Sequence, residues 1–235
     1  MIEAILFDLD GTLLDVDMDD FLDRYIPKLS AHLADFAEPK SFAKNLWAAT
    51  SAMVKNTEST VTNEEAFIEH FLTWIDHAPA DVLPHIHEFY EEIFPTLQGR
   101  ARPFPHVQTA IDAAKRFECP IVLATNPIFP LAAIVHRLAW AGLTKEEFTL
   151  ITSYENMHFC KPNPAYYLEI AEMLKVEPHN CVMIGNDVDF DIRPAAATNM
   201  KTFLIADTQK DMDTDNASGP LEDLSIFLDT VHANG

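Results

Sequence analysis

Apolar positions along the chain follow two rhythms. Four short, nearly unbroken apolar runs, at residues 4–7, 120–125, 181–185 and 201–206, have the length and composition of strands buried on both faces. Between them the apolar spacing lengthens to that of amphipathic helices, over about 105–117, over about 129–141 and from Pro164 onward. Gly142 follows the second of these as a natural C′ residue, and Pro164 suits a first helical position. Strand and helix alternate, which predicts an α/β fold, a doubly wound parallel sheet with helices on both faces.

Residues 16–98 keep only the helical rhythm. Phe67, Phe71, Trp74 and Ile75 recur at helical spacing and read as packing residues, behind a capping box of Thr62 and Glu65. Segments 20–36, 41–55 and 80–94 are also amphipathic. The spacing predicts an all-helical insert, residues 16–99, in an α/β core made of residues 1–15 and 100–235. Residues 99–105, with prolines at 103 and 105, form the return linker, and the acidic stretch 207–220 reads as a loop.

Composition narrows the class. The 235 residues include 37 acidic and 16 basic ones, a formal net charge of −21 that repels a phosphate backbone and argues against nucleic-acid binding. An anionic substrate therefore needs a metal ion or a local positive pocket. Cys119, Cys160 and Cys181 lack the spacing of a zinc site or a disulfide framework and read as free packing thiols of a reducing compartment. No apolar stretch is long enough to cross a membrane, and the N-terminus lacks the basic region and apolar length of a signal peptide, so a cytoplasmic location is expected.

Ligands of open parallel sheets bind beyond the carboxyl ends of the strands. There the chain places Asp8-Leu-Asp10-Gly11-Thr12, then Thr125-Asn126, then Lys161 ahead of the helix at Pro164, then Gly185-Asn186-Asp187 with Asp189 and Asp191. In extended backbone Asp8 and Asp10 face the same side, and such a pair away from water needs a cation or a shared proton. With Asp187 they make a hard all-oxygen set that suits Mg²⁺ better than zinc. Gly11 permits a sharp turn just beyond them. One Asp alone reads as a turn residue; the four strand ends together read as a site.

Asp8-Leu-Asp-Gly-Thr-Leu-Leu-Asp15 resembles the first motif of the haloacid dehalogenase-like hydrolases. Thr125-Asn126, Lys161-Pro162 and the segment from Gly185 to Asp191 are similar to the second, third and fourth, in family order, and the helical insert resembles the family's C1 cap. The resemblance implies a Mg²⁺-dependent phosphatase acting on a small phosphorylated metabolite. Asp8 is then the nucleophile and Asp10 the general acid and base. Thr125 and the Asn126 backbone hold the phosphoryl oxygens, and Lys161 neutralises charge. The metal lies on Asp8, the Asp10 carbonyl and the fourth motif. Asp10 also argues for phosphoryl transfer over dehalogenation, because an alkoxide needs a proton and a chloride does not. The fourth motif departs from the usual Gly-Asp and allows two registers: Asp187 is the favoured ligand because a carboxylate binds Mg²⁺ better than an amide, with Asn186 the alternative. Asp191 then partners Lys161. The rival readings are a phosphomutase on the same scaffold, a non-catalytic protein with a vestigial site, and a receiver-like switch, which the chain's size disfavours.

Other features carry simpler readings. His85 and His87, two apart on a helix, point away from each other. Asp15, Asp17, Asp19 and Asp20 suit a hinge and an acidic first helical turn, and Asp189 a solvated loop. Arg24, Lys44, Lys55 and Arg100 read as surface cations, and Thr144 with Glu147 as a capping box.

Overall fold

The computed structural model describes residues 1–206 and 217–233. Its main sheet has six parallel strands in the order β5-β4-β1-β6-β7-β8. They are β1 (Ala4–Phe7), β4 (Ile121–Leu123), β5 (Leu150–Ile151), β6 (Cys181–Gly185), β7 (Lys201–Ile205) and β8 (Ala217–Gly219). The four apolar runs supply β1, β4, β6 and β7. The edge strands escaped the pattern, β5 because it is two residues long and β8 because its Ala-Ser-Gly sequence makes no apolar run. Part of the acidic stretch read as a loop is thus β8, paired with β7; its residues 207–216 lie outside the described residues.

Alternation along β1 divides the core. Ile5 and Phe7 face α5 (Val107–Lys115), α6 (Leu131–Trp140) and α9 (Leu224–Ala233). Ala4 and Leu6 face α7 (Pro164–Leu174) and the short α8 (Arg193–Ala196), where Tyr166 and Tyr167 are wholly buried. Each such apolar side chain contributes about 1.5–3 kcal/mol when fully buried. From β1 the chain first builds toward β5 and then returns to build toward β8. The order therefore reverses beside β1, the point at which such sheets form a crevice.

Between β1 and β4 lie α1 (Met18–His32), α2 (Pro39–Val54), α3 (Asn63–Leu72) and α4 (Pro79–Glu88). The expected helix over 80–94 is α4 followed by a wide turn, Phe89–Ile93, and a tight one, Phe94–Leu97. The Thr62–Glu65 capping box forms, but α3 ends at Leu72, so Trp74 is 43 % exposed rather than in the core. The two chain crossings are not plain linkers: Leu14–Asp15 (β2) pairs antiparallel with Arg102–Pro103 (β3), fastened by an Asp15–Arg102 ion pair of 2.7 Å.

The helices between these crossings share one apolar cluster with the sheet's α6 face. Phe94 stacks on Trp140 at 5.6 Å, and Phe21 and Tyr25 pack edge-on against Phe129. A second junction is polar. The Asn63 and Glu64 amides at the start of α3 donate to the Met157 and Tyr154 carbonyls, both at 2.8 Å. The wholly buried Asn63 side chain donates to the Pro127 and Phe159 carbonyls.

Candidate active site

The carboxyl ends of β1, β4 and β6 open into a cavity of about 440 Å³ lined by Asp8, Asp10, Thr125, Asn126, Lys161, Asn186, Asp187 and Asp191. Every residue singled out for the catalytic, phosphate-binding and metal roles is in that lining. How the chain brings them there is local chemistry. After Asp8 the backbone turns on Gly11 (φ +80°), and the amides of Leu13 and Leu14 return to the Leu9 carbonyl at 2.8 Å. A side chain on Gly11 would meet the Asn186 amide at 2.4 Å, so the turn also admits the loop after β6. Asn186 is held there by the Thr12 hydroxyl, which donates to its Oδ1 at 3.2 Å.

Lys161 is the electrostatic centre. Its wholly buried Nζ donates to Asp8 Oδ1 at 2.8 Å and to Asp191 Oδ1 at 2.5 Å, and it lies 5.9 Å from the centre of the Tyr166 ring. Burial opposes the charge on this ammonium, yet the Asp191 and Asp8 carboxylates outweigh burial and hold it well above the usual lysine range. Burial pushes Asp8 above the ordinary carboxylate range against the pull of Lys161, and Asp10 adds to the rise. Burial likewise lifts Asp191 to about 6. Gly185 makes the Asp191 contact possible, since a Cβ there would lie 2.3 Å from Asp191 Oδ2.

The second and third segments are locked together. The Asn126 side chain accepts the Lys161 backbone amide at 3.1 Å. The Thr125 carbonyl accepts the hydroxyls of Thr152 and Tyr166, both at 2.8 Å, while Thr125 itself lines the cavity. In the fourth segment Asp187 Oδ1 accepts the Asp189 and Phe190 amides at 2.8 and 2.9 Å, which caps the turn that carries Asp191. Asp189 is exposed, pairs with Arg193 and is outside the cavity lining.

Sequence reasoning missed one residue of the site. Arg137, 2 % exposed, reaches the cavity from α6 and pairs with Asp10. Its guanidinium lies over the Phe21 and Phe129 rings at 5.5 and 5.3 Å, and its Nε, buried, has no hydrogen-bond partner. The signal was available: Ala133, Ile134 and Leu138 mark the buried face of α6, and Arg137 falls on it. A charge in an apolar register needs a partner.

The features given simpler readings stay outside the cavity. Asp17 caps α1 and Asp20 pairs with Arg24, which also donates to the Leu97 carbonyl. Lys44, Lys55 and Arg100 are exposed. His85 turns toward His32 and Glu88 rather than His87. The His32 Nε2 that faces this group is engaged by the His85 carbonyl at 2.9 Å, and none of the three lines the cavity. The three cysteines are free, and Cys160 and Cys181 are buried. Among the described residues no helix is long and apolar enough to cross a membrane.

Residues 2–199 match the family model of the haloacid dehalogenase-like hydrolases. The chain belongs to that family and is an enzyme, as the four motifs imply. Its relatives include a phosphoglycolate phosphatase of Psychrobacter arcticus, 22% identical over 97% of this chain and 94% of that protein. A bifunctional riboflavin kinase/FMN phosphatase of Arabidopsis thaliana is 26% identical over 79% of this chain, which spans 44% of that protein's length. A phosphatase of the same family from Thermococcus onnurineus shares the fold, with a TM-score of 0.59 over 97% of this chain and 98% of that one, at 18% sequence identity.

Proposed function

We propose that the chain is a Mg²⁺-dependent phosphomonoesterase that works through an aspartyl-phosphate on Asp8, on a small phosphorylated substrate. The observation that carries this reading is the Lys161 ammonium held between Asp8 and Asp191 beside the Thr125 side chain at three adjoining strand ends. The Asp8 carboxylate attacks phosphorus and the ester P–O bond breaks, while Asp10 gives its proton to the departing alkoxide. Asp10 then takes a proton from water as that water attacks phosphorus, and the Asp8–phosphorus bond breaks to release phosphate. Lys161 and the Thr125 hydroxyl face the oxygens on which charge builds.

The donor set fits a divalent ion. Asp8, Asp10, Asp187 and Asp191 bring four carboxylates to the cavity against the cations of Lys161 and Arg137, so a phosphate dianion needs further positive charge. Asp8, the Asp10 carbonyl and Asp187 are the ligands we assign. Asp187 Oδ1 caps its turn, but the carboxylate has a second oxygen to offer. The single amide oxygen of Asn186, the alternative, accepts from Thr12, which favours Asp187. Bound Mg²⁺ offsets charge on the phosphoryl oxygens and orients them. The helical insert, residues 16–99, acts as the cap that excludes bulk water, and the free thiols of Cys119, Cys160 and Cys181 support a cytoplasmic location.

Phosphate release from a panel of phosphomonoesters, in Mg²⁺ and in EDTA, tests the reading. Metal-dependent release that Asp8→Asn lowers by about 10⁴-fold or more is the expected result. Asp187→Ala should raise the Mg²⁺ needed for half-maximal rate about 10- to 100-fold while Asp189→Ala leaves it unchanged. Isomerisation of a sugar phosphate without release would replace the hydrolase by a mutase, and absence of both release and Mg²⁺ binding would mark a vestigial site.

A further inference from the structure

We propose that the preferred substrate is a phosphomonoester whose leaving group is a bulky, uncharged ring, an aromatic one above all, rather than a carboxylate or a polyhydroxylated sugar. This rests on the phosphomonoesterase reading and deepens it. The cavity of about 440 Å³ lies within the range of about 300–1,000 Å³ that houses drug-sized ligands, far more than a phosphoryl group and a two-carbon acid fill. Its charged groups are those of the loops beyond the strand ends and Arg137 of α6. Opposite them the wall is carbon: Leu22 and Ile26 of α1, Leu46 and Trp47 of α2, Phe67 of α3, and Ile128.

Some polar atoms of that wall are already paired, whereas the Tyr154 hydroxyl and the Trp47 indole N–H have no hydrogen-bond partner among the described residues. The Tyr25 and Tyr90 hydroxyls bond each other at 2.7 Å, and the Thr50 hydroxyl donates to the Leu46 carbonyl at 2.9 Å. No lysine or arginine of the helical insert lines the cavity among the described residues. Of the two cations that do, Lys161 is shared by Asp8 and Asp191, and Arg137 is paired with Asp10 and covered by two rings. A carboxylate placed here would meet no free cation among the described residues, and a sugar would bring more hydroxyls than Tyr154 and Trp47 can pair, which is costly; a ring would displace water from carbon. Trp47 and Tyr154 supply the amphipathic side chains suited to the face and edge of a planar group.

Ethyl phosphate and 2-phenylethyl phosphate leave as similar alkoxides, so their comparison isolates the ring from leaving-group chemistry. In Mg²⁺, kcat/KM for the phenylethyl ester should exceed that for the ethyl ester about 10- to 100-fold, the value of burying one ring, and should exceed those for 2-phosphoglycolate and glucose 6-phosphate. Trp47→Ala should shrink the phenylethyl-to-ethyl ratio severalfold, and Trp74→Ala, exposed and outside the cavity, should not. A ratio within about threefold of unity, or preference for phosphoglycolate that Arg137→Met removes, overturns the proposal. Titration calorimetry with 2-phenylethylphosphonate and ethylphosphonate separates the two readings. No release from any ester, with the phenyl compound bound more tightly, supports the ring site and overturns the hydrolase; no release and no ring preference overturns both.

Discussion

At the floor of the cavity, ionised groups from strand ends neutralise one another at hydrogen-bond distance; across it, α1, α2 and α3 present carbon. The floor is stiff because each charge depends on a neighbour. Lys161 cannot leave Asp8 without stranding Asp191 as well, and the loops that carry them are tied by Asn126, Tyr166 and Gly185. The apolar wall has no such interdependence, since dispersion and exclusion of water have no direction. On the proposed reading, chemistry is fixed by one half of the cavity and selection is left to the other, which can change residue by residue without disturbing the first.

The largest effect should follow from breaking the floor. Lys161→Met leaves Asp8 and Asp191 buried and unpaired, and urea unfolding should show a loss of about 3–5 kcal/mol together with loss of turnover. A loss below about 1 kcal/mol would mean the network is not a stability element. The sign of the wild-type contribution follows from the raised lysine pKa. For the lysine it is present below the ordinary value of 10.5 and is lost as pH climbs through the higher one. On the acid side it fades as Asp191, at about 6, takes up its proton, so it should hold from above about pH 6 into the alkaline range.

Arg137 is where the halves meet, with its charge on Asp10 and its faces on Phe21 and Phe129. In the proposed mechanism this pairing positions Asp10. Arg137→Met should lower kcat about 100-fold, the scale of a misplacement of about 1 Å. Added to Asp10→Asn it should cost nothing further, whereas additive losses would show that Arg137 acts elsewhere. The smallest effect concerns contact between the halves. Cys160 packs with Met53 of α2 and with Tyr154, and burial pushes its thiol up to about 12. At pH 8 about one molecule in 10⁴ carries the thiolate, so iodoacetamide should leave Cys160 unlabelled in the folded protein. Rapid labelling, read by mass spectrometry, would show α2 and α3 leaving the sheet.

The difference between the halves also explains what could be read from sequence. Strand ends deliver Asp8, Thr125, Lys161 and Asp187 in an order that follows from the topology, and buried strands announce themselves as apolar runs. The carbon wall gives no such sign. Leu46 and Phe67 recur at helical spacing as any core residue does, and periodicity does not separate a side chain that faces a neighbour from one that faces a void. Trp74 shows the same ambiguity in reverse, apolar in register yet exposed because the helix stops short of it. β2, β3 and β5 were invisible because two residues carry no alternation, and β8 because Ala-Ser-Gly makes no apolar run of the kind that revealed the equally short β4.

Asn63 gives the molecule a schedule. Its amide group bonds the Pro127 carbonyl, one residue past Asn126, and the Phe159 carbonyl, two residues before Lys161. Parting α3 from the sheet would therefore slacken together the two loops to which the proposed mechanism assigns phosphate. On the proposed mechanism, the departure of product and the unmaking of its cradle would be the same motion.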